Sequence, residues 1–139
     1  HAHKNMTERN KAMFGEVGRA YVYFTYGMYY CVNAVARAKS YKAGAVLLRA
    51  IQPVDGINIM IKNRETENLS RLTDGPAKLA QALNITKAQY GEDLVKQSGL
   101  FIVENAGTDN FNKIIKSPRI GIKTGVDKLW NFRLDSKLS

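Results

Sequence analysis

The residues best suited to chemistry are aromatic and lie close together near the N-terminus. Residues 20–33, AYVYFTYGMYYCVN, hold five of the seven tyrosines. Alternation predicts two strands joined by a turn at Tyr26-Gly27-Met28, where glycine supplies the conformational freedom that a reversal needs. Turn tips are usually polar, so a tyrosine and a methionine there indicate a partner. A tip aromatic can fill the gap left when a base leaves a DNA duplex.

The other tyrosines of this stretch have two interpretations. Tyrosines among lysines and arginines suit stacking on nucleic-acid bases. Aromatics are also favoured on any pleated surface, and for Tyr21 and Tyr30 core packing is the simpler prediction. Cys31, the single cysteine, is expected to be a small core residue in the same stretch.

The overall charge indicates an acidic partner. Twenty-one lysines and arginines oppose twelve acids, giving a net charge of +9 and a pI of about 9.7. This balance favours nucleic acid first and an anionic membrane surface second. No apolar run reaches the roughly 18 residues of a membrane span, so we expect no membrane partner. One cysteine excludes an internal disulfide framework and predicts an intracellular protein, in the cytoplasm, nucleoid or nucleus.

Other chemistries find little support in the sequence. His1 and His3 are the only histidines, and no Cys/His spacing suits zinc. Neither a phosphate-binding glycine loop nor a GxSxG nucleophile motif is present. We therefore expect no metal and no cofactor.

The pattern of elements predicts an α+β fold. We expect one domain over residues 1–139, with a curved, mostly antiparallel sheet, a protruding hairpin and flanking helices. Residues 45–51 form a nearly continuous apolar strand, predicted to be buried on both faces, with Arg49 its one charge. Helices are predicted over residues 55–63, capped by Asp55, and after Gly75-Pro76. Further strands are predicted at 100–104, after Pro118 and at 130–134.

The sequence resembles the alkyladenine (3-methyladenine) DNA glycosylases along nearly its whole length. The matching motifs are His1-Ala2, Thr7-x-Arg9-Asn10-x-x-Met13-Phe14, Tyr21-Val22-Tyr23-x-x-Tyr26-Gly27-Met28-Tyr29-x-Cys31-x-Asn33, Val46-Leu47-Leu48-Arg49-Ala50, Gly75-Pro76-x-Lys78-Leu79-x-Gln81-Ala82-Leu83 and Pro118-Arg119-Ile120-Gly121. The resemblance implies a fold related to a formyltransferase C-terminal domain. It also implies a base-excision repair enzyme that flips alkylated or deaminated purines out of double-stranded DNA and hydrolyses their glycosidic bond. We expect it to act as a monomer.

The resemblance also implies roles for particular residues. Tyr26 and Met28 are expected to intercalate into the minor groove. Asn33 is expected to crowd the exocyclic amine of normal guanine. The base pocket is expected to be formed by His1, Ala2, Met13, Tyr23, Asn33, Leu47 and Arg49. Phosphate contacts are expected from Thr7, Arg9, Tyr29 and Lys78.

The general base is where the chain departs from the family pattern. The resemblance places the catalytic glutamate upstream of His1, in an N-terminal segment that these 139 residues lack. We thus expect no catalytic residue within them. Either the complete protein supplies the segment, or the chain is a non-catalytic module that binds damaged DNA. A third reading is an RNA-binding or formyltransferase-like domain, against which Tyr26 and Asn33 argue.

Overall fold

A computed structural model describes residues 5–104 and 114–135. The chain forms two compact units, His1–Val103 and Glu104–Ser139, and each is described by itself. Strands and helices occur together with antiparallel pairing, which confirms the predicted α+β class. The single domain over residues 1–139 stays a prediction. Within residues 5–104 and 114–135, no helix has the length and apolar character needed to cross a membrane.

A three-stranded antiparallel sheet forms the centre of the first unit. Its strands are β1 (Ala20–Thr25), β2 (Tyr29–Val35) and β3 (Ala45–Leu47), in the order β1-β2-β3. Aromatic and β-branched residues dominate β1 and β2, and such residues pack well on a pleated surface. The two strands form the predicted hairpin.

One helix packs against this sheet, and another helix packs against that one. The first helix, α1, spans Ile57–Arg64, and the second, α2, spans Pro76–Ala82. One core cluster joins the sheet to α2 through Val22, Val32, Leu79, Ala80 and Ile85. A second cluster joins the two helices through Met60, Leu72 and Ala82. Short 3-10 turns occur at Lys11–Phe14, Leu69–Arg71 and Lys87–Gln89.

Three predictions about these elements are wrong. The strand predicted over 45–51 is only three residues long, and Val46 is 56% exposed, so it is an edge strand rather than a doubly buried one. The N-cap of α1 is Gly56, whose φ of 66° favours glycine, while Asp55 accepts a hydrogen bond from the Gly56 amide. Residues 100–104 form no strand, and Ile102 donates to the Leu94 carbonyl instead of joining a ladder.

The second unit contains a small hairpin. Its strands β4 (Ile114–Ser117) and β5 (Asn131–Leu134) pair antiparallel. The strand predicted after Pro118 is wrong, because β4 ends just before that proline, which has no amide hydrogen for a ladder. The strand predicted at 130–134 is confirmed, with its start at Asn131.

Candidate nucleic-acid interface

The tip of the β1–β2 hairpin presents apolar side chains to solvent. Tyr26 is 88% exposed, Met28 62% and Tyr29 43%. Burial of large apolar side chains normally drives folding, so three neighbouring exposed ones form a surface suited to a partner. All three stand where the sequence predicted contacts with DNA.

The turn that carries Tyr26 has an unusual backbone for its residues. Met28 donates to the Thr25 carbonyl at 3.2 Å, and both central residues have positive φ, 53° for Tyr26 and 69° for Gly27. Hairpin turns of this kind favour asparagine followed by glycine, because most side chains crowd the backbone at positive φ. Gly27 meets that requirement, whereas Tyr26 occupies the position at a cost in backbone energy.

The sheet face opposite α2 carries three of the residues predicted for the base pocket, Tyr23, Asn33 and Leu47. Tyr21, Asn33 and Leu47 lie in register across the three strands, and Tyr23 lies opposite Cys31. Directly paired residues project to the same side of a sheet. Val22 and Val32, their neighbours in sequence, point the other way into the core. One face therefore carries an aromatic row beside a buried amide.

Asn33 is held firmly in this face. It is only 6% exposed, and its side-chain amide donates to the main-chain carbonyl of Tyr21 at 3.0 Å. Buried polar side chains with a satisfied hydrogen bond are rigid. The amide is thus fixed in the sheet face that also carries Tyr21 and Tyr23.

Tyr23 lies half-buried at the edge of the same face. Its pKa is raised to about 12, first by burial and then by the neighbouring Cys31 thiol, with which its hydroxyl is hydrogen-bonded. The Tyr21 ring lies 5.5 Å from that of Tyr23, centroid to centroid. Tyr23 is therefore a neutral phenol at physiological pH, and its hydroxyl is tied to the sheet.

Tyr21 and Cys31 are confirmed as buried residues. Tyr21 is 1% exposed and Cys31 4%. Burial raises the pKa of the Cys31 thiol, while the Tyr23 hydroxyl and the Arg49 charge lower it. The thiol thus interacts with Tyr23 and Arg49, a link that its position in an aromatic strand did not predict.

Arg49 and Leu47 belong to the third strand and its continuation. Leu47 ends β3 opposite Asn33, and Arg49 follows it, half-buried rather than inside a strand. The charge of Arg49 lowers the pKa of the Cys31 thiol. A positive group there is available to an electron-rich or anionic part of a nucleotide.

The N-terminal turn brings Arg9 to the same face. The guanidinium carbon of Arg9 lies 5.2 Å from the Tyr23 ring centroid. Two hydrogen bonds between Thr7 and Asn10 stabilise this turn. The main-chain amide of Thr7 donates to the side-chain oxygen of Asn10 at 2.6 Å, and the main-chain amide of Asn10 donates to the Thr7 hydroxyl at 3.3 Å. Asn10 also donates to the Asn5 carbonyl and is 3% exposed.

Met13 lies half-buried in the turn that follows. Its main-chain carbonyl accepts from the Gly44 amide at 3.1 Å and from the Arg37 guanidinium at 3.4 Å. These bonds tie the N-terminal turn to the loop between β2 and β3. His1 and Ala2, also predicted for the pocket, lie outside the described residues.

Lys78 lies apart from this face, in the first turn of α2. Its ammonium bonds the Asp74 carboxylate at 2.6 Å, and its side chain is 29% exposed. The hydrogen bond to Lys78 is the main cause that lowers the pKa of Asp74. Lys78 is therefore an ion-paired cation rather than one that points freely into solvent.

A cleft of about 280 Å³ opens between the hairpin and α2. Met28 and Tyr30 line one side, and Ala77 and Gln81 the other. Because Tyr30 packs against the core cluster that joins the sheet to α2, the cleft lies on the helix side of the sheet. It is distinct from the face that carries Tyr23 and Asn33.

Two residues of the site were missed by the interpretation of the sequence. Asn10, three residues after Thr7, braces the turn that presents Arg9, and this spacing is a recognisable signal for a reciprocal cap. Tyr90 packs edge-on against Tyr21 at 6.4 Å and accepts a hydrogen bond from the Ala12 amide. No local signal could have found Tyr90, because its hydrogen bond with Ala12 spans 78 residues.

Comparison with known proteins gives matches along nearly the whole chain. The sequence model of the methylpurine-DNA glycosylase family matches residues 1–137. A provisionally named 3-methyladenine DNA glycosylase of Chlorobaculum tepidum is 45% identical over 130 residues, which cover 94% of this chain and 61% of the relative. Similarly named proteins of Carboxydothermus hydrogenoformans and Francisella tularensis are 43% and 40% identical, with 69% and 72% of their lengths covered.

The chain therefore belongs to the methylpurine-DNA glycosylase family. It spans between about three fifths and seven tenths of the length of these curated relatives.

Proposed function

We propose that the chain forms the damage-recognition part of a DNA glycosylase that removes alkylated or deaminated purines. The observation that carries the proposal is the hairpin itself, which exposes Tyr26 at its tip and carries Tyr23 on the same face as Tyr21 and Asn33. Family membership supports the same reading. The partner is double-stranded DNA that contains a damaged purine, and the protein acts as a monomer without a cofactor.

In the proposed reaction, Tyr26 enters the duplex from the minor groove, together with Met28. The aromatic ring stacks in the gap left by the extruded nucleotide and offsets part of the cost of unstacking. Its 88% exposure in the free protein supports this role, because nothing has to move to release it.

The extruded purine then stacks on Tyr23. Purines alkylated at N3 or N7 are cationic, and the electron-rich face of a neutral phenol attracts a cation. Asn33 rejects normal guanine by crowding its exocyclic amine, and Arg49 contacts the flipped nucleotide. Leu47 and Met13, with His1 and Ala2, complete the pocket.

Contacts to the phosphate backbone complete the complex. We assign these to Thr7, Arg9, Tyr29 and Lys78. The Thr7 hydroxyl accepts within its own turn, so its phosphate contact would use the hydroxyl hydrogen. Lys78 would exchange its bond to Asp74 for one to phosphate.

Hydrolysis needs a water molecule and a group that deprotonates it. Asp74 and Asp93 are poor candidates, since hydrogen bonds hold the pKa of each carboxyl below its ordinary value and make it a weaker base. The general base is proposed to be a glutamate upstream of His1. Direct attack by water would leave an abasic site without cutting the strand.

The test is excision from a labelled duplex with one hypoxanthine. The protein expressed from its complete coding sequence is incubated with the duplex, and half of each sample is then heated in alkali. A strand break at the lesion only after alkali supports a monofunctional glycosylase. A break without alkali would contradict direct hydrolysis. Selective binding to the lesion without any break would favour the non-catalytic module.

A further inference from the structure

Arg9 is placed on the ring that the proposed function assigns to the damaged base. Its guanidinium carbon lies 5.2 Å from the Tyr23 centroid, within the range of a cation–π contact. The same charge counteracts the effect of burial on the pKa of both Tyr21 and Tyr23. The guanidinium therefore contacts the Tyr23 ring and acts electrostatically on both phenols.

Within the part of the chain that the structure describes, no acidic group pairs with this guanidinium. Throughout residues 5–104 and 114–135, every ion pair joins other partners, and Arg9 pairs with no carboxylate. The turn that carries it is anchored by the buried Asn10, whose side chain accepts from the Thr7 amide. Arg9 is thus carried by an anchored turn, and the contact of its guanidinium with the Tyr23 ring is the one that the described residues show.

We propose that Arg9 is a stand-in for the damaged purine: its guanidinium covers Tyr23 while the pocket is empty and leaves when a purine stacks there. The inference rests on the proposed function, since it requires Tyr23 to hold the flipped base. Arg9 thereby adds a free-energy cost to the stacking of any base on Tyr23, because that base must first displace the guanidinium. Undamaged, unflipped DNA never reaches Tyr23 and does not have to displace Arg9.

This role makes a prediction opposite in sign to that of a base contact. Removing a base contact lowers the preference for damaged DNA. Removing only a phosphate contact weakens binding to damaged and undamaged DNA alike. Removing a stand-in raises the preference for damaged DNA. A flipped base then enters without displacing Arg9, whereas binding to undamaged DNA never required that displacement.

The test measures that preference for three proteins. The complete protein and its Arg9→Ala and Arg9→Lys variants are titrated with two duplexes of one sequence, one undamaged and one with hypoxanthine on a 2′-fluorinated sugar that resists hydrolysis. We expect Arg9→Ala to raise the ratio of lesion affinity to undamaged affinity by about two- to fivefold, the size of an exposed cation–π contact. Arg9→Lys should lie between Arg9→Ala and the parent, because ammonium stacks less well on aromatic faces.

Either other result for the affinity ratio of Arg9→Ala overturns the inference. An unchanged ratio would leave Arg9 as a phosphate contact only, and a lowered ratio would make it a contact to the flipped base. If the parent itself shows no preference for the lesion, the proposed function fails, which is a separate result.

A measurement on the parent protein gives independent support without any variant. Protons above an aromatic ring resonate upfield, so the Arg9 side-chain signals should be shifted upfield in the free protein. The lesion duplex should restore them to ordinary positions, and the undamaged duplex should leave them shifted. Signals that stay shifted with the lesion bound would contradict displacement.

Discussion

The side-chain amide of Asn33 is bonded to the main-chain carbonyl of Tyr21 across the hairpin, at 3.0 Å. Both residues are buried. The bond fixes the orientation of Asn33 relative to the aromatic row that starts at Tyr21. A group that discriminates between similar purines has to be rigid, and this contact supplies the rigidity.

Two substitutions at Asn33 should separate its structural role from its selectivity. Both Asn33→Leu and Asn33→Ala remove a buried hydrogen bond and should lower the free energy of unfolding by about 1–3 kcal/mol, as measured by urea denaturation. Only Asn33→Ala also removes bulk. It should therefore bind a duplex with a G·T mismatch more tightly relative to hypoxanthine, while Asn33→Leu keeps the parent's ratio. Equal ratios in both variants would argue against crowding by Asn33.

Replacing the tip aromatic should affect DNA binding without affecting stability. Tyr26→Ala removes a side chain that is 88% exposed, so its unfolding free energy should stay within about 0.5 kcal/mol of the parent. Affinity for a hypoxanthine duplex should fall by about 1–3 kcal/mol, the size of one aromatic–base stack. Tyr41→Ala, at a tyrosine 67% exposed outside the hairpin, is the matched control and should bind as the parent does. A cooperative loss of stability in Tyr26→Ala would assign the ring to the core.

Alkaline pH should destabilise the protein partly through Tyr23. Burial raises the pKa of this phenol from 10.0 to about 12, so the folded state prefers the neutral form. Its contribution to stability is complete below pH 10.0 and is lost as the pH rises towards 12. Tyr23→Phe has no phenol to ionise, and its unfolding free energy should fall less steeply over this interval. Tyr41→Phe controls for the loss of one phenol; if both variants show the parent's slope, Tyr23 does not contribute.

Lys78 and Asp74 should have opposite effects on DNA binding. Lys78→Ala removes a proposed phosphate contact and should reduce the slope of log affinity against log salt by about 0.9, equally for damaged and undamaged duplexes. Asp74→Asn removes the carboxylate bonded to the Lys78 ammonium and should tighten binding to both duplexes. Filter binding at a series of salt concentrations measures both effects. An unchanged salt slope in Lys78→Ala would restrict Lys78 to its ion pair.

The hairpin was predictable because its signals are local. Alternation fixed the two faces of β1, and Gly27 marked the turn. Residues 45–51 were misjudged, since apolar composition does not say whether a strand lies inside a sheet or at its edge; among the described strands, β3 pairs with β2 alone. The contacts of Tyr90 with Tyr21 and of Arg9 with Tyr23 depend on chain segments that meet only in the folded protein. The spacing of residues within a short stretch of sequence could not reveal these contacts.

The positive φ of Tyr26 has a consequence for engineering. A non-glycine residue in this region costs roughly 1–2 kcal/mol, and glycine or asparagine would relieve much of it. The hairpin tip is therefore a place where stability and function compete. Selection for heat resistance alone should readily yield replacements at position 26, and the proteins obtained in this way should fold better and recognise damaged DNA worse.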